Sequence, residues 1–187
     1  MANTTVTSAQ RDAAGSVDEL RAGVLVLADG SIFEGELFGA VPEGGIATGE
    51  LVFNTTMTGY QEVISDPSYA GQVIAFTTAH LGNYGTNDED NEASTVYCKG
   101  VVLREMARRE SSWRSGASLH DYLVTHGIPA IGGVDTRRLT RIIRDAGAMG
   151  CAFGTASVDE LTVAAKGAQL TDGQDLVSLV STTEAYT

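Results

Sequence analysis

The sequence holds two cysteines, Cys98 and Cys151, and three histidines, His80, His120 and His126. A nucleophilic cysteine needs a partner base and an exposed, strained turn, such as a G-x-C-x-G elbow. Gly150-Cys151-Ala152-Phe153-Gly154 has the wrong spacing for that elbow, and so has Tyr97-Cys98-Lys99-Gly100. Both thiols therefore read as small buried apolar groups, and no catalytic residue is assigned. The histidines are scattered and read as structural or surface groups. Asn87-Asp88-Glu89-Asp90-Asn91-Glu92 is acidic, but a calcium loop opening at Asp88 would put Ala93 at position six and Lys99 at position twelve. Those positions require Gly and Glu. No metal site is expected, and the run reads as a solvated or partner-facing loop. Neither G-x-x-x-x-G-K-[ST] nor G-x-G-x-x-G occurs, and the glycine-rich Gly39–Gly49 stretch, lacking a lysine, reads as an exposed loop.

Composition narrows the classes further. The 187 residues carry 12 Lys+Arg against 24 Asp+Glu, a formal charge of −12, with 43% apolar residues. Apolar content is too high for disorder, and an acidic chain argues against nucleic acid as partner. Residues 1–22 contain no apolar leader core, and Val24–Ala28 is far shorter than the ~20 residues of a membrane helix. The expectation is a cytoplasmic protein with reduced thiols and no membrane or nucleic-acid partner.

The elements follow from local pattern. Order is expected from Gly23. Asp29-Gly30 between Val24–Leu27 and Ser31–Leu37 predicts a β-hairpin. Glu50–Phe53, Glu62–Ile64, Gln72–Phe76 and Val101–Leu103 read as short strands, with Asp66-Pro67-Ser68-Tyr69 as a turn. Ser118 caps a predicted helix with inner face Leu119, Tyr122, Leu123 and His126, stopped by Gly127. Ile128–Ile131 reads as a strand. Asp135 or Thr136 caps a second helix with face Leu139, Ile142 and Ile143, stopped by Gly147. Met149–Phe153 is a last strand, and Ser157 with Glu160 has capping-box spacing for one more helix. Asp175–Val180 is a short final segment. Strands dominate the first hundred residues and helices the last seventy, which predicts a mixed sheet-plus-helix architecture.

Several runs carry a resemblance. Gly49-Glu50-Leu51-Val52-Phe53-Asn54-Thr55-Thr56-Met57-Thr58-Gly59-Tyr60-Gln61-Glu62, then Asp66-Pro67-Ser68-Tyr69, then His80–Asn87, closely resemble the N-terminal domain of the carbamoyl-phosphate synthetase small (glutamine amidotransferase) chain. Val134–Arg141 resembles the same family's helix entry, Leu25–Gly30 its opening strand, and Thr182–Tyr186 its linker. The likeness spans about residues 24–187.

That resemblance implies an α/β fold of three β/β/α layers, the swivelling type. Residues 1–22, polar and unpatterned, read as a flexible tail longer than is usual for the family, while the resemblance implies the family domain over 23–155 and a helix and linker over 156–187 toward an absent glutaminase domain. The complete small chain hydrolyses glutamine, and ammonia passes to a large chain that makes carbamoyl phosphate for arginine and pyrimidine synthesis. ATP and Mg2+ are expected on that large chain, and no cofactor in this one. The implied partners are the large chain in a heterodimer, the glutaminase domain, and L-glutamine. The implied glutamine contact is Ser68. Asn54, Thr56, Thr58, Tyr60 and Asn83 are interface candidates, because Asn54–Tyr60 is polar without helical or strand regularity and Gly82-Asn83 suggests a tight loop. A free-standing binding or scaffold module on the same fold is the rival reading.

Overall fold

The computed structural model describes residues 21–182, and in it the short apolar runs become strands that alternate between two buried faces. The strands are β1 (Arg21–Leu27), β2 (Ile32–Gly39), β3 (Ile46–Asn54), β4 (Gln72–Phe76), β5 (His80–Leu81), β6 (Gly100–Val102), β7 (Glu105–Met106), β8 (Pro129–Gly132) and β9 (Met149–Gly154). β1 and β2 form the hairpin that Asp29-Gly30 predicts: Gly30 has φ 90° and Asp29 Oδ1 accepts from Ser31 N at 2.8 Å. β1 begins ahead of Gly23, because Arg21 and Ala22 pair with Leu37 and Glu36. The rest of the expected tail, residues 1–20, lies outside the described residues, as do 183–187 of the expected linker.

Seven strands close a barrel in the order β1-β2-β8-β6-β4-β3-β9, with β9 returning to β1. β3, β4, β6 and β8 run parallel, and the remaining pairs are antiparallel. β5 and β7 make a separate parallel pair. The architecture is thus mixed α/β with a sheet-dominated core.

The two-residue period sorts the side chains. Leu25, Leu27, Phe33, Leu37, Leu51, Val73, Ala75, Val102, Ile131, Cys151 and Phe153 fill one cluster. Their neighbours Ile74, Phe76, Val101, Leu103 and Ala130 join a second cluster on the opposite face. Five helices complete the described chain: α1 (Tyr60–Ser65), α2 (Leu119–Thr125), α3 (Thr136–Ala146), α4 (Val158–Lys166) and α5 (Leu176–Val180). α3 contributes Leu139 and Ile143 to the first cluster. α1 and α2 cover the second with Tyr60, Ile64, Leu119, Tyr122 and Leu123. α4 covers Val26 and Ala152 through Leu161 and Ala165. Each such Leu, Ile or Phe stabilises the fold by about 1.5–3 kcal/mol relative to exposure.

The caps are those the sequence signals. Ser118 accepts from Asp121 N, Asp135 from Arg138 N, and Ser157 and Glu160 form a reciprocal capping box. Two expectations are corrected. Glu62-Val63-Ile64 is helical rather than a strand. Tyr60, Gln61, Ile64 and Ser65 are its buried residues, a four-residue spacing that fits the crossover between the parallel β3 and β4. The Gly39–Gly49 stretch is also not one loop. β2 extends to Gly39 and β3 starts at Ile46, leaving a short connection with a 3-10 turn at Glu43–Gly45.

Candidate functional site

The Asp66-Pro67-Ser68-Tyr69 turn is held by its own chemistry. Pro67 opens a 3-10 turn over Pro67–Tyr69, and Asp66 Oδ1 accepts from Ser68 N at 2.8 Å. Ser68 is exposed, and among the described residues no hydrogen bond of its hydroxyl is seen. Tyr69 ties this turn to the end of β3: Asn54 Nδ2 donates to Tyr69 Oη at 2.9 Å. Asn54 Oδ1 in turn accepts from Thr56 N at 2.7 Å and Thr56 Oγ1 at 2.6 Å. Asn54, Thr56 and the Ser68 turn therefore form one connected polar surface.

Thr55–Thr58 is exposed, and Met57 at its tip is 85% exposed. Thr58 lies on the same tip. Tyr60 does not reach the surface. It is buried, stacks on Tyr84 with ring centroids 4.3 Å apart, and donates from Oη to Gly85 O at 2.6 Å. Tyr84 Oη accepts from Gly59 N at 2.6 Å and Tyr60 N at 3.2 Å, satisfying the open N-terminus of α1. Burial raises both phenols above the ordinary tyrosine range, so both stay protonated. Tyr60, one of the interface candidates, is thus buried beneath the Thr58 loop. Asn83 is exposed next to Tyr84, and its carbonyl accepts from Ser111 N at 3.0 Å.

The C-terminal segment passes close by. Thr171 Oγ1 donates to Glu50 Oε2, which also accepts from Gln72 Nε2 at 3.2 Å. A Cβ on Gly71 would touch Thr171 and Leu176. Residues 171–176 thus lie against the strand that leaves the Ser68 turn.

The acidic run is wired inward at its asparagines. Gln61, 1% exposed, donates from Nε2 to Asn87 O at 2.5 Å and Asn91 Oδ1 at 2.8 Å, and its Oε1 accepts from Asn87 N at 3.0 Å. Tyr122 Oη donates to Asn91 Oδ1 at 2.7 Å, and Ser65 Oγ accepts from Glu92 N at 2.9 Å. Asp90 takes Asn87 Nδ2 and Arg114 Nη2, each at 2.7 Å, and these hold its carboxyl below the ordinary range, Asn87 first. Asp88 and Glu89 remain exposed.

Both cysteines are buried, and burial pushes each thiol up to about 12. His120 is also buried, its Nδ1 accepting from Gly39 N at 3.2 Å, which fastens α2 to β2. Among the described residues no group of three or more His, Cys, Asp or Glu could hold a metal ion, and no helix is long and apolar enough to cross a membrane. Sequence reasoning missed Gln61, Arg114 and Trp113. Trp113 had a signal: it is the single tryptophan and sits among serines, glycine and charges, with no apolar partner for core burial.

Comparison with known proteins agrees with the connected motifs. Residues 25–153 match the family model described as carbamoyl-phosphate synthase small chain, CPSase domain. The carbamoyl phosphate synthase small chain of Xylella fastidiosa (strain 9a5c) is 48% identical over 165 residues, covering 87% of this chain and 43% of that protein. That of Pasteurella multocida is 49% identical over 166 residues, covering 88% and 42%. That of Synechococcus sp. is 47% identical over 173 residues, covering 91% and 44%. The chain spans less than half the length of these relatives, and by the match over residues 25–153 it belongs to the carbamoyl-phosphate synthase small-chain family, within its CPSase domain.

Proposed function

We propose that this chain is the docking and support domain of a glutamine-hydrolysing carbamoyl-phosphate synthase. In this reading it binds the synthase large chain, forms one wall of the glutaminase site, and carries out no glutamine hydrolysis itself. Ammonia released at that site feeds ATP- and Mg2+-dependent synthesis of carbamoyl phosphate on the large chain, for the arginine and pyrimidine pathways, in the cytoplasm. The domain proper runs over 23–155, and 156–187 leads toward the glutaminase domain.

The observation that carries this reading is Ser68. Its hydroxyl is exposed on a turn rigidified by Pro67 and by Asp66, and among the described residues no hydrogen bond of that hydroxyl is seen. A hydroxyl fixed in this way can donate to and accept from a zwitterionic amide such as glutamine. Residues 171–176 lie beside the strand leaving that turn, so the C-terminal segment passes close to it. The exposed Thr55–Thr58 tip, with Met57 on it and half-buried Asn54 behind it, suits contact with a second protein body. We also read this mixed α/β barrel as the family's three-layer swivelling arrangement. Helices α1 and α2 cover one hydrophobic cluster of the sheet and α3 the other, which supports a layered arrangement.

Ser68→Ala in the glutamine-hydrolysing complex tests the reading. The expected outcome is a KM for glutamine raised by about tenfold, with synthesis from free ammonia unchanged. An unchanged KM would remove Ser68 from the site.

A further inference from the structure

The groove between residues 86–91 and 111–117 plays no part in the glutamine site proposed above. It encloses about 680 Å³, and its aromatic lining is Trp113, Tyr122 and His126. Trp113 is 93% exposed. An indole is the largest apolar side chain, and leaving it in water forfeits the gain of burial.

The loop that shows Trp113 is nonetheless fixed. Ser111 N donates to Asn83 O at 3.0 Å on one side, and Gly116 N donates to Thr86 O at 2.8 Å on the other. Between them Arg114 Nη2 reaches Asp90 Oδ1 at 2.7 Å. A ring presented by such a frame meets a partner with little ordering cost, the property that makes tryptophan a frequent anchor of interface energy.

The rim chooses the chemistry of what enters. Asp88 makes no ion pair among the described residues, and Glu89 lies 3.5 Å from Arg114, whose closer contact is Asp90. Asn87 Nδ2 donates to Asp90, and Asn91 Oδ1 accepts from Gln61 and Tyr122. What the groove offers outward is the indole of Trp113, the carboxylate of Asp88, and that of Glu89, which shares Arg114 with the closer Asp90, so that three carboxylates face one guanidinium there. A π face with carboxylates close by attracts a cation and repels an anion. A guanidinium fits best, since it stacks on a ring and forms paired hydrogen bonds to a carboxylate at once. A second copy of this chain is disfavoured as occupant by its own charge of −12.

We propose that this groove is a docking surface for an arginine side chain of a protein partner. The inference rests on the reading above in one respect: that reading makes the partner the synthase large chain.

The test uses this chain labelled with 5-fluorotryptophan, which gives one 19F resonance, titrated with the large chain. The expected result is a shifted resonance that loses its H2O/D2O solvent-isotope effect on binding. Trp113→Ala should weaken binding by at least about tenfold, and Trp113→Phe should restore part of it. The Asp88→Asn/Glu89→Gln double variant should weaken binding several-fold at low salt and little at high salt. If the large chain binds while the resonance keeps its solvent-isotope effect and Trp113→Ala binds as tightly as wild type, the groove inference is overturned and the docking reading stands. If the large chain does not bind wild type at all, both fall. A change that depends on this chain's own concentration alone would assign the groove to a second copy and overturn the proposal.

Discussion

A thiol is a nucleophile only where it can ionise, and neither cysteine here can do so near neutral pH. Cys98 and Cys151 sit in the core clusters, Cys151 with no exposed surface, and burial pushes both up to about 12. The native chain should therefore give no reaction with DTNB at pH 8, and both thiols should react after denaturation. The same shift fixes the direction of an alkaline effect. Folded pKa values above the unfolded ones mean that the contribution is intact below about pH 9 and is lost as the pH rises toward 12. Rapid native-state labelling at pH 8 would contradict the burial. The G-x-C-x-G spacing test had already separated these cysteines from a nucleophile elbow, since that motif is local. The placement of Trp113 was not legible in the same way. Its groove is assembled from residues 86–91, 113–117 and 122–126, brought together by hydrogen bonds such as Gln61 to Asn87 that no spacing rule encodes.

Among the elements, α1 and the acidic run form a single unit through Gln61. Gln61→Ala would leave Asn87 N, Asn87 O and Asn91 Oδ1 short of a buried partner. The expected cost is about 2–3 kcal/mol, with faster amide hydrogen exchange concentrated over residues 86–92. Exchange that quickens evenly over the barrel instead would place the damage elsewhere. Local signals predicted most elements well, because they are chemically local. Asp29-Gly30 makes its hairpin, and Ser118, Asp135 and Ser157 cap the helices that follow them. Glu62-Val63-Ile64 misled because two β-branched residues after a charged one fit a short strand as easily as one helical turn. The decision came from Tyr60 and Ile64 reaching the core together, and from the crossover that parallel strands require.

At the scale of the molecule, closure of the barrel is the feature that a reading of successive runs could not supply, since β9 pairs with β1 and β3 across most of the sequence. Gly154 marks that closure. It pairs with Val24 and Ile46, has φ 154°, and a Cβ there would meet Gly45 O at 1.9 Å. Because the obstruction is backbone, Gly154→Ala should cost about 3 kcal/mol and lower the urea midpoint with little change in m. A midpoint equal to wild type would contradict the described closure. The closed core also bears on function. It is a platform that exposes Ser68 on its turn, the Thr55–Thr58 tip and the Trp113 groove. The most direct measurement of the whole account is sedimentation velocity of this 19.5 kDa chain mixed with the synthase large chain. The account predicts that the chain co-sediments with the large chain as a one-to-one complex at concentrations of about 1 µM; independent sedimentation of the two at about 50 µM would contradict it.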